Sequence, residues 1–206
     1  MAVALADLVE SGRAALVTQE CQNGVIGEQA VFPALAEIAR REMIPNAARL
    51  AKAARAAGIP VVHCLALRRP DGLGSNTNAR IFGAAKKSPV TLAPGSDAAR
   101  VVDEIGVEDS DILLTRYHGV GPMSGTDLDS VLRNLGVTTI VGIGVSVNVG
   151  MTNFTMDAVN LGYQFVLPRD AVAGVPEDYA NALIANTLSL LATVVTTEEV
   201  IGAWSR

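Results

Sequence analysis

The residues able to do chemistry in this chain fall at the ends of apolar runs. Glu20 directly follows the run Ala14–Gln19. A carboxylate at the end of a buried strand sits in a partly desolvated cleft, where burial and a nearby cation shift its acidity in opposite directions. Glu20 is therefore either a general acid or base or a structural carboxylate paired with Arg116. Arg116 follows the apolar segment 111–115. A guanidinium stays charged and grips carboxylates bidentately, so Arg116 would hold an acidic substrate, lock Glu20, or lie on the surface. His118 lies in the loop Tyr117-His-Gly-Val-Gly-Pro-Met-Ser124 and is one of only two histidines. It is a second acid or base candidate near neutral pH, or a loop histidine without a role. His63, inside an apolar run, reads as a hydrogen-bonded core residue. Cys21 adjoins Glu20, but successive strand residues point to opposite faces, which makes it a small buried hydrophobe.

The stretch 139–157 must position these groups. It opens as an uncharged, β-branched run and passes through Gly144, Ser146 and Asn148 into helical spacing, with Val149, Phe154, Ala158 and Leu161 on one face. A strand that turns directly into a helix points free N–H groups and the positive end of the helix dipole at whatever lies above the turn. Proteins place nucleophiles and anions there. In this chain the residue nearest that position is Gly150, which has no side chain.

Around this turn the pattern predicts alternating strands and helices. Strands are expected at Ala14–Gln19, 59–66, 111–115, 138–144, 163–168 and a short 194–195. Helices are expected at 44–57, 79–86, 97–105, 126–135, 149–161, 176–191 and Thr197–Trp204, with loops at 22–30, 68–78 and 117–124. Continuous apolar strands mark parallel strands buried on both faces. The expectation is one domain over residues 1–206, an α/β fold built as a three-layer α/β/α sandwich with a mostly parallel, roughly six-stranded central sheet. Ligands in such sheets bind beyond the carboxyl ends of the strands.

Composition narrows the function. With 206 residues, half of them hydrophobic, the chain suits one domain with a large core. A net charge of −5 without a basic stripe argues against a nucleic-acid surface. Residues 135–156 carry no charge and are long enough to span a bilayer, but four glycines and two asparagines make strand plus helix the better reading. The N-terminus lacks a basic region before its apolar residues, unlike a secretion signal. Cys21 and Cys64 suggest no disulfide framework, pointing to a reducing cytoplasm. The histidines lack metal-ligand spacing, and no glycine-rich phosphate motif follows strand one, so neither a metal nor any other cofactor is expected.

Four blocks resemble the isochorismatase-like cysteine hydrolases. They are Val17-Thr-Gln-Glu-Cys-Gln-Asn-Gly24, Gly125-Thr-Asp-Leu-Asp129, Gly144-Val-Ser-Val-Asn-Val-Gly-Met-Thr-Asn-Phe-Thr-Met-Asp-Ala158 and Leu161-Gly-Tyr-Gln-Phe-Val-Leu-Pro-Arg-Asp-Ala171. They span nearly the whole chain in the family's order. The family's catalytic set is Asp, Lys and Cys, and the matching positions here hold Glu20, Arg116 and Gly150. The resemblance places a cis peptide near Val145-Ser146 and a substrate pocket formed by Val145, Ser146, Asn148 and Val149, with His118 and Ser124 also lining it. It also implies a small-molecule substrate and a homo-oligomer, for which the apolar C-terminal helices would serve as interface or as core.

Without the cysteine, thioester chemistry is lost. True isochorismatases resemble this chain in having Gly at that position. They cleave a vinyl ether by protonating the enol carbon from a carboxyl group, and water captures the resulting cation. The resemblance therefore implies hydrolysis with Glu20 as general acid and Arg116 holding a substrate carboxylate. A catalytically inactive binding or scaffold protein is the alternative from another class. Amide hydrolysis through Cys21, or through water activated by Glu20 or His118, is a third reading.

Overall fold

A computed structural model describes residues 3–205. Seven strands form its sheet: β1 (Ala14–Gln19), β2 (Val61–Ala66), β3 (Ile112–Arg116), β4 (Thr139–Val145), β5 (Gln164–Pro168), β6 (Val172–Ala173) and β7 (Thr193–Val195). The order is β3-β2-β1-β4-β5-β7, β6 extends the sheet beside β4, and every strand pairing is parallel. From β1, strands β2 and β3 run outward on one side and β4, β5 and β7 on the other. The order therefore reverses between β1 and β4, where an open parallel sheet leaves a crevice for ligands. The expected parallel three-layer sandwich is what forms, with the short β6 as a strand beyond the anticipated six.

Helices α1 (Leu5–Leu8), α2 (Asn23–Ile26), α3 (Pro33–Ile38), α4 (Ile44–Ala56), α5 (Arg80–Lys87), α6 (Leu128–Asn134), α7 (Thr152–Asn160), α8 (Glu177–Asn186) and α9 (Thr197–Trp204) surround the sheet. One apolar layer packs β1 and β4 against α4, with Leu16, Leu50, Ile143 and Val200 all buried. The other packs the opposite face against α6 and α7, with Val17, Leu132, Ile140 and Phe154 buried. The Phe154 ring meets Phe165 of β5 edge-on at 5.1 Å. Such a pair adds about 0.5–1.5 kcal/mol beyond area burial and fixes α7 over the sheet. Of the C-terminal apolar residues, Ile184, Leu188 and Val200 are core, whereas Leu190 is 82% exposed.

Three departures from the sequence pattern bear on the site. Residues 97–105 form one 3₁₀ turn, Asp97–Ala99, rather than a helix. The chain then runs extended, bridging Val101 to Gln22 and bonding Val102 N–H to the Cys21 carbonyl at 3.0 Å. This buries Val101, Val102 and Ile105 under the end of β1, and tertiary burial overrides local helix spacing. Within 22–30, the expected loop contains α2. The helix after β4 begins as a π turn, Val147–Met151, before α7.

A buried polar chain ties the strands together. Thr18 Oγ1 lies 2.9 Å from His63 Nδ1, and His63 Nε2 lies 3.3 Å from Asp111 Oδ2. Arg55 of α4 grips both Asp111 oxygens at 3.2 and 2.6 Å, and Glu108 N–H donates to Oδ2 at 2.8 Å. The tautomer that satisfies both histidine contacts is neutral, with its proton on Nε2. Burial pulls the His63 pKa below its ordinary 6.5, and the attraction of Asp111 only partly offsets this. A histidine with a depressed folded pKa stabilises above its unfolded value, and that contribution drains away as pH falls, because the unfolded chain takes up the proton first. Stability should therefore fall below roughly pH 6, by up to about 1.4 kcal/mol per pH unit. His63→Gln should flatten that slope in denaturant melts; an unchanged slope would assign the acid sensitivity to other groups.

Candidate functional site

Glu20, Gln19 and the turn after β4 meet at the reversal point of the sheet. β1 and β4 are in register to their ends, with Gln19 opposite Gly144. Gly144 has φ +117, and a Cβ there would strike the Gln19 backbone, so only glycine lets the two strand ends approach this closely. Glu20, the next residue, has φ 55, the one positive φ at a non-glycine position among the described residues. An L-residue held there stores about 1–2 kcal/mol, and such strain concentrates at functional sites. Glu20 N–H donates to the Cys64 carbonyl at 2.9 Å, which fixes the bend against β2.

Arg116 ends the edge strand β3 and reaches back across β2 to Glu20. Its Nη2 donates to Glu20 Oε1, and only 3% of its side chain is exposed, against 21% for Glu20. Nε and Nη1 of Arg116 are buried and have no partner. Of the three placements open to Arg116 in the sequence, the pairing with Glu20 is present and the surface one is not, and most of the guanidinium's hydrogen-bonding capacity is unspent. Cys64, beside Arg116, and Cys21 are both fully buried, and burial pushes each thiol up to about 12, against which the Arg116 charge only partly helps Cys64. Neither is a thiolate near neutral pH, so neither has the form a nucleophile needs.

The peptide Val145-Ser146 is cis, as the resemblance implied. The Ser146 carbonyl accepts from Val149 and Met151 N–H groups at 3.2 and 2.9 Å, closing the π turn. Gly150 is buried inside it. A Cβ on Gly150 would overlap Gln19 Nε2 and come within 3.2 Å of the Val120 and Val145 carbonyl oxygens. Gln19 is fully buried; its Nε2 donates to Val120 O at 3.0 Å, while its Oε1 is buried without a partner. The space beside Gly150 thus holds the Gln19 carboxamide, an occupant the sequence pattern does not predict. The one signal available is a glutamine, beside Thr18, at the end of a mostly apolar buried strand.

The remaining candidates are dispersed. Val145 is buried in the sheet, its carbonyl beside Gly150. Ser146 is half-buried and Val149 is exposed. Asn148 turns its Oδ1 against Gly174, just after β6, where it is buried without a partner. His118 is exposed and stacks over Gly125, and exposed Ser124 bonds Asp157 Oδ2 at 3.3 Å. No hydrogen bond joins His118 or Ser124 to Glu20 or Arg116 among the described residues. Gln22, part of the first sequence block, is structural. It bonds Ala66 through both ends of its amide, at 2.9 and 2.8 Å, and the Ala99 carbonyl at 2.9 Å, pinning the end of β1 to β2. A cleft of about 170 Å³ lies on the far side of the turn, between Val147, Arg169 and α8, and the Arg41–Glu177 pair lines it.

The model of the isochorismatase domain matches residues 14–199. The chain belongs to the isochorismatase family. An uncharacterized isochorismatase family protein of Escherichia coli O157:H7, YecD, is 32% identical over 197 residues, 92% of this chain and 95% of YecD. The structure of an isochorismatase family protein from Burkholderia thailandensis superposes with a TM-score of 0.79 at 28% identity, covering 96% of this chain and 98% of that one. The N-carbamoylsarcosine amidase of Thermoplasma acidophilum superposes with a TM-score of 0.72 at 26% identity, covering 90% and 97%. Membership assigns the fold and a hydrolase family. Among the described residues no helix is long and apolar enough to cross a membrane.

The packing at Gly150 yields a direct test. Gly150→Ala forces the Gln19 amide off Val120 O and should cost about 1–3 kcal/mol. Truncating its neighbour first, with Gln19→Ala, should shrink that cost, giving a coupling of about 1 kcal/mol in a double-mutant cycle. Additive effects would show that Gln19 does not occupy the space beside Gly150.

Proposed function

We propose that this chain hydrolyses a small carboxylated substrate without a covalent nucleophile, with Glu20 as the proton-transfer group and Arg116 as the anion holder. The observation that carries this is the Arg116 guanidinium, buried at the strand ends beside Glu20 with Nε and Nη1 unbonded. A buried donor without an acceptor costs roughly 1–3 kcal/mol, a charged one more, and a substrate carboxylate on that edge would relieve the cost. Gly150 and the two buried thiols argue against covalent catalysis.

Two bond classes ask Glu20 for opposite roles. Ion-paired with Arg116, Glu20 is a carboxylate and so a base. It would take a proton from water as that water attacks a carbamoyl or amide carbon. As the tetrahedral adduct collapses, the same proton passes to the departing nitrogen. The similarity to N-carbamoylsarcosine amidase favours this C–N cleavage. Vinyl-ether cleavage needs Glu20 protonated, which requires the substrate carboxylate to take Arg116 first. A protein that keeps the fold only to bind small molecules is the alternative, favoured by the ion pair that closes the strand ends.

A panel of N-carbamoyl acids, amides and enol ethers of hydroxy acids, followed by product release, separates these readings. Turnover of one class by the wild type, falling at least about 100-fold in Glu20→Gln, is the expected result. Ammonia release marks the base role and pyruvate release from isochorismate the acid role. Turnover that survives Glu20→Gln would remove the proton-transfer role of Glu20, and no turnover across the panel would remove the hydrolase reading.

A further inference from the structure

We infer that Gln19 is the specificity-determining residue of this site, and that its Oε1 accepts a hydrogen bond from an N–H or O–H donor on the substrate. The inference rests on the reading of Arg116 as the carboxylate holder. Gln19 fills the space a side chain at position 150 would take, and the residue after it in sequence is Glu20. Its amide is held at one end only. Nε2 donates to Val120 O, while Oε1, in a side chain with no exposed surface, has no donor at all.

Buried polar atoms in folded chains are nearly always bonded, so orphans demand a reason. Among the described residues five buried side-chain atoms lack a partner, and three of them belong to Gln19 and Arg116. Gln19 offers an acceptor, and Arg116 offers two donors. The complementary ligand is a small acid that presents a carboxylate to Arg116 and a polar hydrogen to Gln19. Gln19 Nε2 is bonded to Val120 O, in the same loop as the exposed residues His118 and Gly119, so the ligand reaches Oε1 as that loop gives way. A site built around a buried acceptor discriminates strongly against a ligand of the same shape that lacks the donor, because the acceptor is then left buried and dry.

N-carbamoylglycine and levulinate test this directly. They share one heavy-atom skeleton and one carboxylate, but levulinate has a methyl and a methylene where N-carbamoylglycine has NH₂ and NH. Calorimetric titration of the wild type should show N-carbamoylglycine bound at least about 10-fold more tightly. Gln19→Leu, or Gln19→Met should the first not fold, should weaken N-carbamoylglycine to the level of levulinate and leave levulinate unchanged. Equal binding of the two acids to wild type, binding of neither, or a preference that survives both substitutions would overturn the role of Gln19. A preference that depends on Gln19 in a protein that turns over no panel substrate would leave this role standing and remove the hydrolase reading. Glu20-dependent turnover without such a preference would do the reverse.

Discussion

A guanidinium only 3% exposed needs a negative partner, and here it has one carboxylate, from a residue in a strained conformation. Much of the site follows from that pairing. Arg116 stands at the end of an edge strand, two strands from β1, so its side chain must cross β2 to reach Glu20. The bend at Glu20 turns its carboxylate toward that arginine, and the bond from Glu20 N–H to the Cys64 carbonyl holds the bend. A buried ion pair seldom adds net stability, since desolvation consumes most of the attraction. Keeping one whose cation still has unbonded donors is more readily understood as preparation for a ligand than as a structural tie.

The second constraint is the closeness of β1 and β4. Gly144 lets the strand ends touch, and the touching ends leave no room for a side chain at Gly150 so long as Gln19 points where it does. Glycine at 150 and the placement of Gln19 are therefore one packing solution. A side chain introduced at 150 without moving Gln19 would clash with its carboxamide.

The fold was legible because its signals are long and redundant. Ala14–Gln19 and Thr197–Trp204 are delimited identically by apolar pattern and by structure, since a six-residue buried strand and a helix opened by the Thr196–Glu199 capping box leave little choice. The region 97–105 was misread because Val101, Val102 and Ile105 have a spacing compatible with a helix, yet each is required under β1. Glu20 and Arg116 could be named from residue type at strand ends and Gly150 from its place in the strand-to-helix turn, and the pairing of the first two is present. His118 and Ser124 show the limit of that logic. Adjacency in a loop does not say which way a side chain faces, and both lie exposed, engaged with Gly125 and Asp157. Gln19 was invisible for the opposite reason: its importance lies in the volume it fills, a property of three strand ends together that no linear pattern carries.

The buried network of Thr18, His63, Asp111 and Arg55 supplies the rigidity this arrangement needs. Thr18 is two residues before Glu20, on the strand whose end must be held to a fraction of an ångström for Gln19 and Glu20 to diverge as they do. Its hydroxyl is fixed to His63 on β2, and through Asp111 to the start of β3, whose other end carries Arg116. The three strands that present the ion pair are thus locked to one another by polar contacts that run from the penultimate residue of β1 through the middle of β2 to the start of β3. A strained carboxylate and a partly satisfied arginine persist only when the surrounding structure over-determines their positions, and this network, with Gln22 pinning β1 to β2 from above, provides that over-determination.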